Sequence, residues 1–116
     1  MAINFETTTP KNLLAAFKKA VDEGHIVTWQ YDSDGDFTHT PEQWKYRAWL
    51  RPVIYEGTRL TLNFVCRSDE QTTKAVYGVY HGRFIESMLT HCDELFTIGI
   101  ATAGATNSDL INTKVA

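Results

Sequence analysis

Cysteine and positive charge are both scarce in this sequence. Its 116 residues include two cysteines, Cys66 and Cys92, and 11 Lys and Arg against 14 Asp and Glu. Two thiols cannot build the disulfide framework of a small secreted domain, so we expect both to be free in the cytoplasm. The net charge of −3 argues against nucleic acid as a partner, because phosphates are neutralised by a surplus of Lys and Arg.

Long apolar runs and the familiar catalytic motifs are also absent. No stretch approaches the roughly 20 apolar residues of a membrane-spanning helix, and the N-terminus has neither the basic start nor the apolar segment of an export signal. The sequence has no glycine-rich loop followed by Lys and no Gly-x-Ser-x-Gly turn, so NTPases, kinases and serine hydrolases are not indicated. We therefore expect a binding protein without a cofactor rather than an enzyme.

Two groups of possible metal ligands have unsuitable spacing. Asp32, Asp34 and Asp36 alternate like the oxygen ligands of a calcium loop, but Phe37 stands where that loop needs Gly and Gln43 where it needs Glu. This pattern indicates a solvated turn instead. The four histidines and two cysteines do not form the close pairs of a structural zinc site. No metal site is therefore predicted.

The sequence has ample apolar area for one folded domain, with 43% hydrophobic residues. Pro10 precedes apolar residues at helical spacing and Gly24 follows them, which predicts an amphipathic helix over residues 10–23. The same spacing recurs after Gly82 and predicts a second amphipathic helix over 83–92. Each helix has an apolar stripe that must cover another element, and a sheet is the expected partner.

Alternating apolar and polar residues indicate five strands. They span residues 26–31, 46–54, 59–66, 75–80 and 96–100. The predicted fold class is therefore α+β: a two-layer sandwich in which a mostly antiparallel five-stranded sheet carries both helices on one face, in the order α-β-β-β-β-α-β. We expect a single domain over residues 1–102 and a flexible tail over 103–116. Two open sheet edges favour a homodimer.

One candidate site is the predicted junction between the strand at 75–80 and the second helix. Backbone N–H groups at a helix start favour anions, His81 and Arg83 flank this point, and Gly82 permits close approach of a ligand. These residues predict a weak site for a small phosphate- or carboxylate-bearing ligand, in a binder or an enzyme. The alternative is a turn in which Gly82 only provides flexibility and the charged residues pair with neighbouring acids.

A second candidate site is a cluster of aromatic and Arg side chains around one predicted strand. Such mixtures are enriched in protein-binding hot spots and in surfaces that stack single-stranded nucleic acid. The cluster consists of Trp44, Tyr46, Arg47, Trp49 and Arg51. The alternative is that Trp44 and Trp49 fill the core and the arginines lie over it.

These observations give three functional hypotheses. The first is a small cytoplasmic, non-enzymatic protein-interaction domain, of bacterial or phage origin, that uses the aromatic and Arg cluster. The second is a small anionic-ligand binder or enzyme with its site at the start of the second helix. The third is a single-stranded nucleic-acid binder, which the acidic net charge disfavours.

Overall fold

The computed structural model describes residues 2–106 and 109–114. Within these residues the chain forms seven strands, two long helices and a short 3₁₀ turn at Asp93–Leu95. In chain order the long elements are β1 (Ile3–Glu6), α1 (Pro10–Asp22), β2 (Trp29–Tyr31), β3 (Phe37–His39), β4 (Ala48–Tyr55), β5 (Arg59–Arg67), α2 (Lys74–Cys92), β6 (Ile98–Ala101) and β7 (Leu110–Lys114).

All seven strands belong to one sheet. Six of them follow the order β2-β3-β4-β5-β1-β6, and every neighbouring pair in this order is antiparallel. Strand β5 lies at the centre, with β4 along one side and its other side divided between two strands. Residues 59–62 pair with β1, whereas Val65 and Arg67 pair with β7, which runs parallel to β5. The predicted α+β fold with an antiparallel sheet is confirmed, although the strand count differs.

Both helices pack on the same face of this sheet, here called the covered face. Alternate residues of β5, from Leu60 to Cys66, point toward the helices and belong to the core. At the centre of the core, the Phe84 ring of α2 lies 4.8 Å from the Phe17 ring of α1 and 5.0 Å from the Trp29 ring. Full burial of such a side chain contributes about 1.5–3 kcal/mol, so this face provides most of the stability.

The second helix begins nine residues earlier than predicted. Residues 75–80, predicted as a strand, are the first turns of α2, and the predicted helix at 83–92 is its second half. The Thr73 side chain caps the helix by accepting a hydrogen bond from the Val76 N–H. Val76, Tyr80, Phe84 and Met88 then recur every four residues on the buried side. A short apolar run is compatible with a strand or a buried helix, so its alternation misled the prediction.

Three strands were not predicted, and the two shortest of them are β1 and β3. β1 has four residues and lies in the middle of the sheet, between β5 and β6. β3 has three residues and directly follows the acidic turn at 32–36. The first predicted strand, at 26–31, is reduced to Trp29–Tyr31 because only these residues pair with β3. Segments this short carry too few alternations to be recognised in a sequence.

The remaining predicted elements lie close to their expected positions. α1 and β5 agree to within a residue, while β4 and β6 each begin two residues later than predicted. Residues 110–114, which the prediction placed in a loose tail, form β7 beside β5. Val115 and Ala116 of that tail lie outside the described residues. No helix in the described part of the chain is long and apolar enough to cross a membrane.

Candidate functional site

A cavity of about 730 Å³ lies at the N-terminus of α2. Phe64 and Cys66 of β5 and Tyr77 of α2 contribute apolar surface to it. The polar segment before the helix lines a second part, and the small residues that follow β6 line a third. The complete lining is Phe64, Cys66, Gln71, Thr72, Thr73, Lys74, Tyr77, Gly78, Ala103, Gly104 and Ala105.

The start of α2 makes one end of this cavity favourable for an anion, while the Asp109 side chain, which accepts from the Phe64 N–H, lies near the Phe64 and Tyr77 walls. The backbone N–H groups in the first turn of a helix lack intrahelical partners and give that end a partial positive charge. Thr73 satisfies one of them, at Val76, with an N···O distance of 3.2 Å. The first turn of α2 contains no acidic residue, and Lys74 is the one charged side chain among the lining residues. A carboxylate or phosphate bound here would therefore meet N–H donors and an ammonium group.

Tyr77 is the fixed aromatic wall of the cavity. Its hydroxyl donates to the Thr102 carbonyl at 3.1 Å, and its ring packs edge-to-face on Phe64 with the centroids 5.0 Å apart. Thr102 in turn donates from its hydroxyl to the Gly104 carbonyl at 2.7 Å, which links the loop after β6 to this wall. Burial raises the pKa of Tyr77, so the ring stays neutral at physiological pH.

His81 lies behind this wall rather than in the cavity lining. Its ring stacks on Tyr77 with centroids 3.8 Å apart, and its Nδ1 lies 2.6 Å from the Tyr77 carbonyl oxygen. A carbonyl only accepts, so Nδ1 carries the proton and Nε2 is the bare nitrogen. Nε2 is buried and has no hydrogen-bond partner among the described residues. Burial lowers the pKa of His81 and keeps it neutral.

The first predicted site, His81, Gly82 and Arg83, does not lie at a helix start. All three residues are inside α2, where backbone N–H groups bond to carbonyls four residues earlier. Arg83 points toward β3, with its Nη1 3.4 Å from Nε2 of His39. The helix-start argument therefore applies to Thr73 and Lys74 instead, while ligand binding by the three predicted residues stays a prediction.

The second predicted cluster is divided between the core and the opposite side of the sheet. Trp44 packs against the core. Trp49 is only 2% exposed, with the Tyr46 ring stacked 6.4 Å away and the Lys114 ammonium 5.1 Å from its own ring. Arg47 is half-exposed and forms a 3.4 Å ion pair with Glu70. The core alternative therefore holds for Trp44, whereas Trp49 is buried on the other side of the sheet, and binding by this cluster stays a prediction.

Arg51, the last member of this cluster, belongs to a partly buried ion network. Its Nε and Nη2 donate to the two carboxylate oxygens of Asp36 at 2.9 and 2.8 Å. Lys114 of β7 reaches the same carboxylate and that of Asp32, both at 2.6 Å, and lies 3.6 Å from Asp34. The aspartates of the predicted solvated turn therefore form ion pairs with Arg51 and Lys114, and the Asp36 side chain is fully buried.

Titration in this network follows from its geometry. Burial alone would raise the pKa of Asp32, but the hydrogen bond from Lys114 and that from the Asp36 N–H outweigh it, so the pKa is lowered. Burial would likewise lower the pKa of Lys114, but its hydrogen bonds to Asp32 and Asp36 outweigh this and raise it. Both groups are therefore held in their charged forms.

Tyr46 has a backbone conformation that a residue with a side chain rarely adopts. Its φ is +59°, and it is the one non-glycine residue with positive φ in the described part of the chain. Its N–H donates to the Thr38 hydroxyl at 3.1 Å, and its carbonyl accepts from Arg67 at 3.2 Å. These bonds hold the ring, 38% exposed, over Trp49.

The sequence did contain a signal for the residues that the prediction missed. Thr73 precedes four apolar residues at strict four-residue spacing, which is the pattern of a capped buried helix. The loop at 103–105 carries no comparable signal, because it reaches the cavity only through the pairing of β6 with β1. A scan against protein-family models gave no match, and searches of curated proteins and of solved structures found no significant match either.

Proposed function

We propose that the protein binds a small molecule with an apolar body and one carboxylate or phosphate group in the cavity at the start of α2. The observation that carries this proposal is the combination of one Lys and no acidic side chain in the lining with the start of a helix, whose first N–H groups lack intrahelical partners, in a cavity with aromatic walls. Small-ligand sites typically measure about 300–1,000 Å³ and combine apolar walls with a few polar groups. The volume of about 730 Å³ falls in this range.

The lining suggests how such a ligand would be oriented. Its flat or branched apolar part would contact Phe64 and Tyr77, and its anionic group would lie against Thr73 and Lys74. The pairing of an aromatic wall with a helix N-terminus favours aromatic or branched carboxylates and phosphate monoesters over cations. We assign no reaction to this site. Its reactive groups are those of Cys66, Lys74 and Tyr77, and the Tyr77 hydroxyl is already bonded to the Thr102 carbonyl.

The first test is a thermal-shift screen of aromatic and branched carboxylates and phosphate monoesters, followed by calorimetry of each compound that raises the melting temperature. Lys74→Gln should weaken binding about tenfold, or about 1.4 kcal/mol, because it removes the ammonium group. The matched control is Lys11→Gln, which removes a lysine in the first turn of α1 and should leave affinity unchanged. Equal losses in both variants, or no compound that shifts the transition, would refute the proposal.

A second test blocks the cavity. Gly78 lines it, and Gly82 lies one turn later on α2 outside the lining; a Cβ built at either position meets nothing within 4 Å. Gly78→Leu should abolish binding because its side chain would project beside Tyr77, whereas Gly82→Leu should bind as the wild type does. Both variants should fold equally well, since each replaces an exposed helical glycine.

A protein-interaction function is a second candidate, and the strained, exposed Tyr46 favours it. Residues held in unfavourable backbone conformations concentrate at functional sites. Tyr46→Ala should lower the affinity for a partner protein. Arg47→Ala should do the same, whereas Trp49→Ala would unfold the region because this side chain is buried.

The variants Tyr46→Ala and Arg47→Ala would also test single-stranded oligonucleotide binding, which should be salt-dependent if it occurs. We place either function in the bacterial cytoplasm, in a protein of bacterial or phage origin. The two free cysteines fit such a reducing compartment.

A further inference from the structure

Among the described residues, the free edge of the sheet at β6 has no feature that prevents another strand from pairing with it. β6 is the last strand on its side of the sheet in the described part of the chain. Residues 96–102 contain neither a charge nor a proline, which are the usual devices that protect an edge. On the face away from the helices, Ile98 and Ile100 are each 51% exposed. This edge therefore offers both backbone groups and apolar side chains.

The hydrogen-bond pattern shows which backbone groups are available. Thr102 donates its N–H to the Ala2 carbonyl of β1 at 2.8 Å. Along a strand of an antiparallel ladder, successive residues direct their N–H and C=O groups to opposite sides. Those of Ile98 and Ile100 therefore also point to β1. Those of Gly99 and Ala101 point outward, away from the sheet. Any added strand must therefore form its bonds to Gly99 and Ala101.

From this arrangement we infer that a second copy of this chain pairs with β6 in antiparallel fashion, about a two-fold axis at Gly99. In this register Gly99 of each copy exchanges two hydrogen bonds with Gly99 of the other. Ile98 of one copy then lies opposite Ile100 of the other, twice, in the closely spaced type of antiparallel pair. The strand is therefore complementary to itself, and all four isoleucines come together on one face.

Charge and shape also suit a second copy. The nearest charged side chain on β1, Glu6, lies one strand from the edge. The two copies of Glu6 would be three strand spacings apart, roughly 14 Å, beyond the distance at which exposed charges repel in physiological salt. On the helix side Gly99 adds no side chain at the axis, and a Cβ there would come within 2.9 Å of the Phe5 ring.

The test uses charge substitutions that distinguish this register from any other association. Sedimentation velocity should show that the wild type is a dimer. The variant Ile98→Glu with Ile100→Glu should be a monomer, because each carboxylate would face another one across the axis. The variant Ile98→Lys with Ile100→Glu should remain a dimer that dissociates as salt is added, because each Lys would face a Glu of the other copy.

Val27→Glu is the matched control, since Val27 is an exposed apolar residue, 72% exposed, that lies outside β6. It should leave the dimer intact, and circular dichroism should show that every variant is folded. A monomeric wild type would overturn the inference. A dimeric Ile98→Glu, Ile100→Glu variant would overturn it too, since association would then use another surface. Neither Ile98 nor Ile100 lines the ligand cavity, so its affinity measurements test a separate site.

Discussion

The two faces of the β4–β5 ladder bury their side chains by different means. On the covered face, pairs such as Leu50 and Phe64 lie under the helices and contact other apolar groups. On the opposite face, here called the open face, Trp49 and its partner Val65 are also buried. The cover over Trp49 includes the Lys114 ammonium and the Tyr46 ring.

This difference shows that burial alone does not identify a core. The covered face depends on apolar area, which is insensitive to salt and responds to volume. The open face depends on a Lys that is itself held by Asp32 and Asp36. Ion pairs of this kind respond to pH and to loss of either partner. The following changes separate the two contributions, from the largest expected effect to the smallest.

Phe84→Ala should have the largest effect, a loss of about 3–5 kcal/mol in the free energy of unfolding. The ring contacts the rings of Phe17 and Trp29, and surrounding groups relax only partly into the space that such a truncation leaves. Urea denaturation measures the loss. Phe84→Leu should cost clearly less, because most of the volume is retained. A loss below about 1 kcal/mol for Phe84→Ala would show that this face is not the main source of stability.

Asp36→Asn should cost about 3 kcal/mol, because it keeps the shape but leaves Arg51 and Lys114 without their shared buried carboxylate. Asp34→Asn is the control, since that side chain is exposed and lies 3.6 Å from Lys114. We expect a change within about 0.5 kcal/mol there. Denaturation of both variants in parallel would show whether the open face depends on the buried member alone.

Acid should affect the covered face first, through His81. Its folded pKa is lowered below the ordinary value of 6.5, so the unfolded chain takes up a proton that the folded chain refuses. Stability should therefore fall as pH drops below 6.5, by at most about 1.4 kcal/mol per pH unit for one proton. His81→Phe should flatten this part of the pH profile. An unchanged profile would mean that His39, whose pKa burial also lowers, dominates it.

In acid, the open face should lose stability only at a lower pH than the covered face. The folded pKa of Asp32 lies below 3.8, so its contribution is complete above that value and is lost as pH falls through the folded pKa. Lys114, whose pKa is raised above 10.5, loses its contribution only as the pH rises past its folded pKa. Asp32→Asn should lower stability at neutral pH by about 1 kcal/mol and make the acid limb of the profile shallower.

The smallest effect is expected for Lys11→Ala, which removes an exposed ion pair with Glu56. Exposed pairs contribute about 0–1 kcal/mol, so the melting temperature should hardly change with or without added salt. A large loss would contradict the view that charge matters in this protein mainly where it is buried.

The sequence predicted those elements whose own pattern determines them. The apolar stripe of α1 and the alternation along β5 are local, and both were found within a residue. The first half of α2 was mistaken for a strand because its short apolar run fits both periods, and this error moved the candidate site from Lys74 to His81. Lys114 could not be placed, because no local pattern indicates that it meets Asp36, which lies 78 residues earlier.

The position of β1 affects the order in which the sheet is completed. This strand comes first in the chain, yet it lies between two strands that come much later: Ile3 pairs with Leu62 on one side and with Ala101 on the other. Hairpins such as β4–β5 close over short loops, whereas β6, at the edge, has a place only after β1 has paired with β5. Chain entropy makes such distant closures slow, so refolding should take milliseconds to seconds and be limited by the pairing of β1 with β5, which must precede that of β6.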